Sequence, residues 1–191
     1  MTGEAAAVGA TAWEVFQAGW HEFFLMAGTA AVTLAGLLFV AISLHVDALI
    51  HESRAHLLAL ARAILLSYVM VLTLSLMMLV PAPGMRPVAV EMALIGLVFL
   101  AVTVRQMRRE PGVEHPDFPL RVFRRRLMPM LIGYGMVALT GVSLIVLRAP
   151  EFFYFVIGAL CMLLGNATGA SWDLLVRTAR IRREAERRAG S

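Results

Sequence analysis

The 191-residue sequence predicts an all-α polytopic integral membrane protein with five transmembrane helices, N-terminus out and C-terminus in. Three observations lead there. Apolar residues make up 60% of the chain and charged residues only 16%, against roughly 45–50% and about 25% in soluble domains. The mean hydropathy is +0.78, and the apolar residues form five continuous runs instead of an alternating pattern, which argues against a β-barrel. Finally, almost all of the arginine falls beside the ends of those runs.

A helix needs about 20 apolar residues to cross a hydrocarbon core of about 30 Å. The runs cover residues 23–46, 57–80, 87–104, 127–147 and 152–176, the third being the shortest. Ahead of the first, Trp13, Phe16, Trp20 and Phe23 recur at helical spacing among Glu14, Gln17 and His21. This pattern predicts a short interfacial helix with an aromatic anchor within an N-terminal segment, residues 1–22. That segment carries Glu4, Glu14 and Glu22 and no basic residue, the wrong sign for a secretory signal, so the first span is expected to be retained. Pro81-Ala82-Pro83-Gly84 predicts a tight turn between the second and third spans. The stretch 105–126 contains Pro111, Gly112, Pro116 and Pro119 and is too broken for a folded domain. After Asp173 the last span is expected to continue as a helix into a basic tail, residues 177–191.

Arginine placement sets the expected orientation. Alternation from an outside N-terminus puts fifteen of the 17 basic residues inside, in the groups Arg54–Arg62, Arg105–Arg126 and Arg177–Arg188, and leaves Arg86 and Arg148 outside. An even number of spans would put one of the two large groups on the wrong side. The formal net charge of +4 therefore points to anionic headgroups at the inner face of a cell inner (plasma) membrane and not to nucleic acid. Cys161 stands alone in an apolar run, so no intramolecular disulfide is expected.

The most informative pattern lies in the first span. Thr29, Thr33, Gly36, Val40, Ser43 and Asp47 follow at intervals of four, three, four, three and four residues, one stripe down a helix. At 1.5 Å per residue the stripe is ~27 Å long, close to the hydrocarbon thickness. Several copies of such a helix around an axis would form a water-filled path, with Thr and Ser as wetting groups, Val40 as a constriction and Asp47 as a ring concentrating cations. The alternative is that the hydroxyls bond to backbone carbonyls or a neighbouring helix and Asp47 sits at headgroup level. The opposite face offers Ala27, Ala31, Ala35 and Leu38, small enough to admit close helix neighbours.

Other constellations point to packing or to ions. Gly158, Gly165 and Gly169 in the last span, with Asn166 inside a GxxxG pair, predict close helix–helix contact. Glu91 and Asp173 are intramembrane or near-membrane acids and possible ion or proton sites; each has a simpler reading, Glu91 paired with Arg86 or reaching the headgroups and Asp173 paired with Arg177. His45, Asp47, His51, Glu52 and His56 cluster after the first span. His51 and His56 are five apart, which turns them about 140° away from each other and argues against the His-Glu-x-x-His zinc arrangement. Asp47 and His51 remain weak candidates for a divalent ion, with no metal expected to be resident. Gly133-Tyr134-Gly135 has the composition of a potassium filter, but about 12 apolar residues follow it, too few to complete a span, so a glycine-rich helix interface is expected.

Leu34-Ala35-Gly36-Leu37-Leu38-Phe39-Val40-Ala41-Ile42-Ser43-Leu44, with the closing Asn166-Ala167-Thr168-Gly169-Ala170-Ser171-Trp172-Asp173-Leu174-Leu175-Val176, resembles an uncharacterised family of small bacterial multispan membrane proteins, which implies a fold and no activity. The first stretch also resembles, over about 15 residues, the pore helix of Orai calcium channels, where a Gly and a Val one turn apart line the pore; the matching positions here are Gly36 and Val40. Leu44 stands where that family has its selectivity Glu, so the resemblance implies no calcium selectivity.

The expected function is a homo-oligomeric membrane ion channel or pore lined by the first helix, cation-conducting, with no catalytic residues and no cofactor. Self-association is expected because one five-helix protomer has too few polar positions for an internal conduit. The alternatives are a non-catalytic accessory or scaffold protein packing through its glycine-rich faces, and a small-solute or metal carrier using Glu91 or the Asp47/His51 cluster.

Overall fold

A computed structural model describes residues 2–44, 55–81, 84–109, 120–148 and 150–189. Among them are five long helices: α1 (Thr2–Leu44), α2 (Ala55–Leu79), α3 (Met85–Arg109), α4 (Leu120–Leu147) and α5 (Tyr154–Ala189), with a 3₁₀ turn at Pro150–Phe153 before the last. Each supplies a segment long and apolar enough to cross a membrane, the last together with the preceding 3₁₀ turn: Trp13–Leu44, Leu58–Leu79, Met85–Arg108, Leu127–Leu147 and Glu151–Val176. Four of these lie close to the expected runs; the first begins at Trp13, ten residues ahead of the expected start at residue 23, because the aromatic segment is continuous with the helix. The third is longer than its apolar run suggested, because the helix carries on past Val104 through Arg105 and Arg108. Long arginine side chains can keep their heads in water while the stem follows the helix, so charge need not end a span.

The helices pack as a layered bundle with α2 at its centre. α2 adjoins α1, α3 and α5, α4 bridges α3 and α5, and α1 lies at the edge, resting mainly on α2. Burial follows this arrangement. Half of the most apolar window of α2 is buried, against 22% of that of α1. The interior holds Phe24, Ile64, Tyr68, Leu74, Tyr134 and Phe153, each nearly inaccessible.

Small residues set the closest approaches. A methyl group added to Gly96 of α3 would come within 2.5 Å of the backbone nitrogen of Ala138 on α4, and one added to Gly141 would collide with the backbones of Ala93 and Ala89. Backbones this near gain dispersion contacts along their whole crossing, which is how helices associate where surrounding lipid removes the hydrophobic driving force. Gly133 lies under Leu163 of α5, and Gly28 of α1 meets Ser75 of α2. Pro129 sits inside α4, and because proline has no N–H the carbonyl four residues earlier loses its helical donor. The Gly133-Tyr134-Gly135 segment is part of unbroken α4, with Tyr134 fully buried.

The N-terminal aromatic run differs from the expected short interfacial helix. It is the first part of α1, which continues without a break from Thr2 to Leu44. Its rings turn inward: Phe16 and Trp20 meet Phe153 at centroid distances of 5.2 and 5.0 Å, in edge-to-face geometry, and Trp20 also meets Tyr154 at 5.3 Å. Edge-to-face pairs at such distances contribute about 0.5–1.5 kcal/mol beyond burial alone. The run is thus a clamp between α1 and the start of α5. On the neighbouring face of α1, Gln17 donates from Nε2 to the carbonyls of Met78 (3.1 Å) and Val80 (2.7 Å), satisfying acceptors that the end of α2 leaves without helical partners.

Candidate functional site

The register of α1 is fixed by what it buries. Phe24, Ala27, Gly28, Ala31 and Leu38 fall on one side of the helix and are shielded, so this face lies against the bundle. Turned by about half a circle, Thr29, Thr33, Gly36, Val40 and Ser43 are all exposed, Val40 to 58%. A Cβ placed on Gly36 would meet nothing within 4 Å. The structure therefore gathers the described members of the stripe on one continuous face of α1 and points that face away from the rest of the bundle. Asp47 and His51 lie outside the described residues.

The three hydroxyls on this face are bonded within their own helix. Thr29 donates to the Leu25 carbonyl (2.8 Å), Thr33 to Thr29 (2.8 Å) and Ser43 to Phe39 (2.9 Å). Such bonds satisfy the hydroxyl proton without any neighbour and leave the oxygen lone pairs directed outward as acceptors. A ring of these groups would present acceptors to water or to a cation, and no donors.

The remaining sequence candidates do not converge on one place. Glu91 is exposed on α3, while Val88, Ala89, Met92 and Ala93 around it are buried, so its carboxylate lies on the face turned from the bundle. Asp173 is half-buried near the far end of the apolar part of α5. Gly158 and Gly165 are exposed. The nearest atom to an added Cβ is the Met136 methyl at 3.8 Å for Gly158, and nothing within 4 Å for Gly165. Asn166 and Gly169 are half-buried. Within the bundle α5 packs through Ala159, Leu163, Ala167 and Ala170, which are buried. Among the described residues no group of three or more His, Cys, Asp or Glu side chains is placed to hold a metal ion.

The structure also shows polar pairs that the sequence did not announce. Ser67 of α2 and Tyr134 of α4 are hydrogen-bonded at 2.8 Å in the interior. The adjacent Tyr68 points to α5, with its hydroxyl 3.3 Å from Ser171 and 3.5 Å from Thr168. Thr103 of α3 lies beside the Tyr134 phenol, buried and short of hydrogen-bonding geometry. The only trace of these pairs in the sequence is that hydroxyl residues interrupt apolar runs; their partners sit on other helices, and spacing along the chain does not reveal them.

Fold and site together define an all-helical chain whose five apolar helices suggest a multi-pass membrane protein. No family model, curated protein or solved structure matches it.

Proposed function

We propose that the protein is a homo-oligomeric, cation-conducting membrane channel whose path is lined by α1 of each copy. In this reading the N-terminus lies outside and the basic end of α5 lies among anionic headgroups on the inside. The observation that carries it is the outward display of Thr29, Thr33, Gly36, Val40 and Ser43 on a helix whose other face is committed to α2. Each hydroxyl is already satisfied within its helix, so what supports the reading is the alignment of small and hydroxylated residues along one exposed face, ~21 Å from Thr29 to Ser43. Repeated about an axis, the stripe supplies rings of acceptor oxygens, with Val40 as the narrowest apolar ring and Asp47 as the charged one at the inner mouth.

The mass of the detergent-solubilised complex, together with ion flux into liposomes, tests the reading. A multiple of 20.9 kDa and flux down a gradient are expected. A strictly monomeric particle or a tight liposome in every cation tried overturns it.

A second reading, a non-conducting accessory protein that packs against another membrane complex, rests on α5. Gly165 is exposed with nothing within 4 Å of its Cβ position, and an exposed small residue of this kind lets a partner helix approach closely. A stable partner that co-purifies in the absence of flux selects this reading.

A further inference from the structure

Where α1 crosses the end of α2, near Trp13, lies a cleft of about 200 Å³ that takes no part in the outward stripe. One wall is a single face of α1, carrying Glu14, Gln17, Ala18 and His21 at positions i, i+3, i+4 and i+7; the other is Met78, Leu79 and Pro81. Gln17 fixes the two walls to each other through its bonds to the Met78 and Val80 carbonyls.

Three features of this cleft select one kind of ligand. The C-terminal end of α2 forms one wall, and the C-terminus of a helix carries the equivalent of about half a negative charge. Glu14, exposed on the rim, adds a carboxylate; none of the lining residues is Arg or Lys, and His21, one turn beyond Gln17, is the one lining side chain able to carry a positive charge. The remaining wall is hydrocarbon, from Ala18, Met78, Leu79 and Pro81. An anion is disfavoured on the side of Glu14 and the α2 C-terminus. A small inorganic cation would exchange its water for a largely apolar wall and gain too little in return. A cation that carries its own carbon atoms suits both halves, with its charge toward Glu14 and the α2 C-terminus and its methyl or methylene groups on the apolar side.

We propose that this cleft binds a small alkylammonium group, either a primary amine or a quaternary ammonium. The cleft lies where the apolar run of α2 ends, the level at which a helix of this length meets lipid headgroups. The group can therefore come from a free amine or from the headgroup of a zwitterionic phospholipid. The inference does not depend on conduction through α1.

The test uses the full chain in a neutral detergent, with thermal unfolding read while ethanolammonium chloride or choline chloride is titrated against equal concentrations of sodium chloride. The expected result is a saturable rise in Tm with at least one ammonium salt and none with sodium. Glu14→Gln is expected to raise the half-saturating concentration about tenfold. Ala18→Leu, which fills the cleft and leaves the carboxylate, is expected to do the same. Both positions are exposed, so neither change disturbs the bundle, and melting in sodium chloride alone checks this. Nanodiscs of phosphatidylethanolamine or phosphatidylcholine, compared with phosphatidylglycerol alone, separate the sources. A rise with the zwitterionic lipid assigns the headgroup, and a rise with the free salts alone assigns a soluble amine. No saturable rise with any of these probes, or an equal rise in both variants, overturns the proposal.

Discussion

The Tyr134 hydroxyl lies 2.8 Å from that of Ser67, and both side chains are fully shielded between α4 and α2. Ser67 also approaches the Ala63 carbonyl of its own helix at 3.2 Å. A carbonyl accepts only, so Ser67 donates to Ala63 and Tyr134 donates to Ser67. The chain of bonds has a direction, and the two ends are unequal. Tyr134→Phe removes a donor and leaves Ser67 satisfied, so it is expected to destabilise the protein by about 0.6–1 kcal/mol. Ser67→Ala leaves a buried phenol without this acceptor and is expected to destabilise more, by about 1–3 kcal/mol. Reversible unfolding in mixed micelles checks the order of the two effects, and equal losses would refute the assigned direction.

The glycines divide into two groups that should respond to alanine in opposite ways. Gly96→Ala and Gly141→Ala drive a methyl into the backbone of the facing helix, where neither partner can yield without moving the α3/α4 crossing. A loss of about 1–3 kcal/mol each is expected. Gly36→Ala meets open space and gains helix propensity, up to about 1 kcal/mol in favour. If α1 lines a path in an oligomer, the same substitution is expected to alter flux or assembly while raising the stability of the protomer. Melting and flux measured on one preparation give both numbers.

Phe153 joins the start of α5 to the aromatic face of α1. It is 1% exposed and meets Phe16, Trp20 and Phe24. Phe153→Ala is expected to cost about 3–5 kcal/mol, as for other buried aromatic truncations, and to shift the tryptophan emission to the red as Trp20 loses its ring partner. Gln17→Ala, which frees two carbonyls at the end of α2, is expected to cost about 1 kcal/mol. Chemical denaturation followed by fluorescence distinguishes the two.

Arg148 follows the last residue of α4 with a φ of 52°. This left-handed conformation is the one in which a glycine usually ends a helix, because a Cβ there is crowded. Arg148→Gly is expected to stabilise by up to about 1 kcal/mol despite the flexibility it adds to the unfolded chain. A lower Tm in the variant would mean that the arginine side chain contributes more than its backbone costs.

For the channel reading, Val40 and Thr33 supply the sharpest probes. Val40→Cys and Thr33→Cys, made in a Cys161→Ser background, are expected to react with water-soluble methanethiosulfonates in liposomes, and Leu38→Cys on the buried face is expected to resist. Asp47→Asn is expected to reduce the preference for cations over anions, as loss of a charged ring does. Modification that leaves flux unchanged at both Val40 and Thr33 would remove α1 from the path.

The number of membrane-length apolar helices, and most of their limits, could be read from local sequence, because helix length and apolarity are properties of one stretch of chain; the start of the first, at Trp13, could not. The sequence also determined which residues of α1 share a face, since Thr29, Thr33, Gly36, Val40 and Ser43 are related by helical periodicity alone. Which way that face turns was decided by the tertiary structure. Ala27, Ala31 and Leu38 went against α2, and the stripe was left outside. Only the folded bundle could pair Ser67 with Tyr134, set Gly96 on Ala138, leave Gly165 facing outward or draw Trp20 onto Phe153, for each of these depends on two helices approaching at a particular depth and angle. In an apolar chain nearly every face of every helix is compatible with lipid, so hydropathy does not choose among faces. Small residues and hydroxyl partners make that choice, and they act only when helices meet.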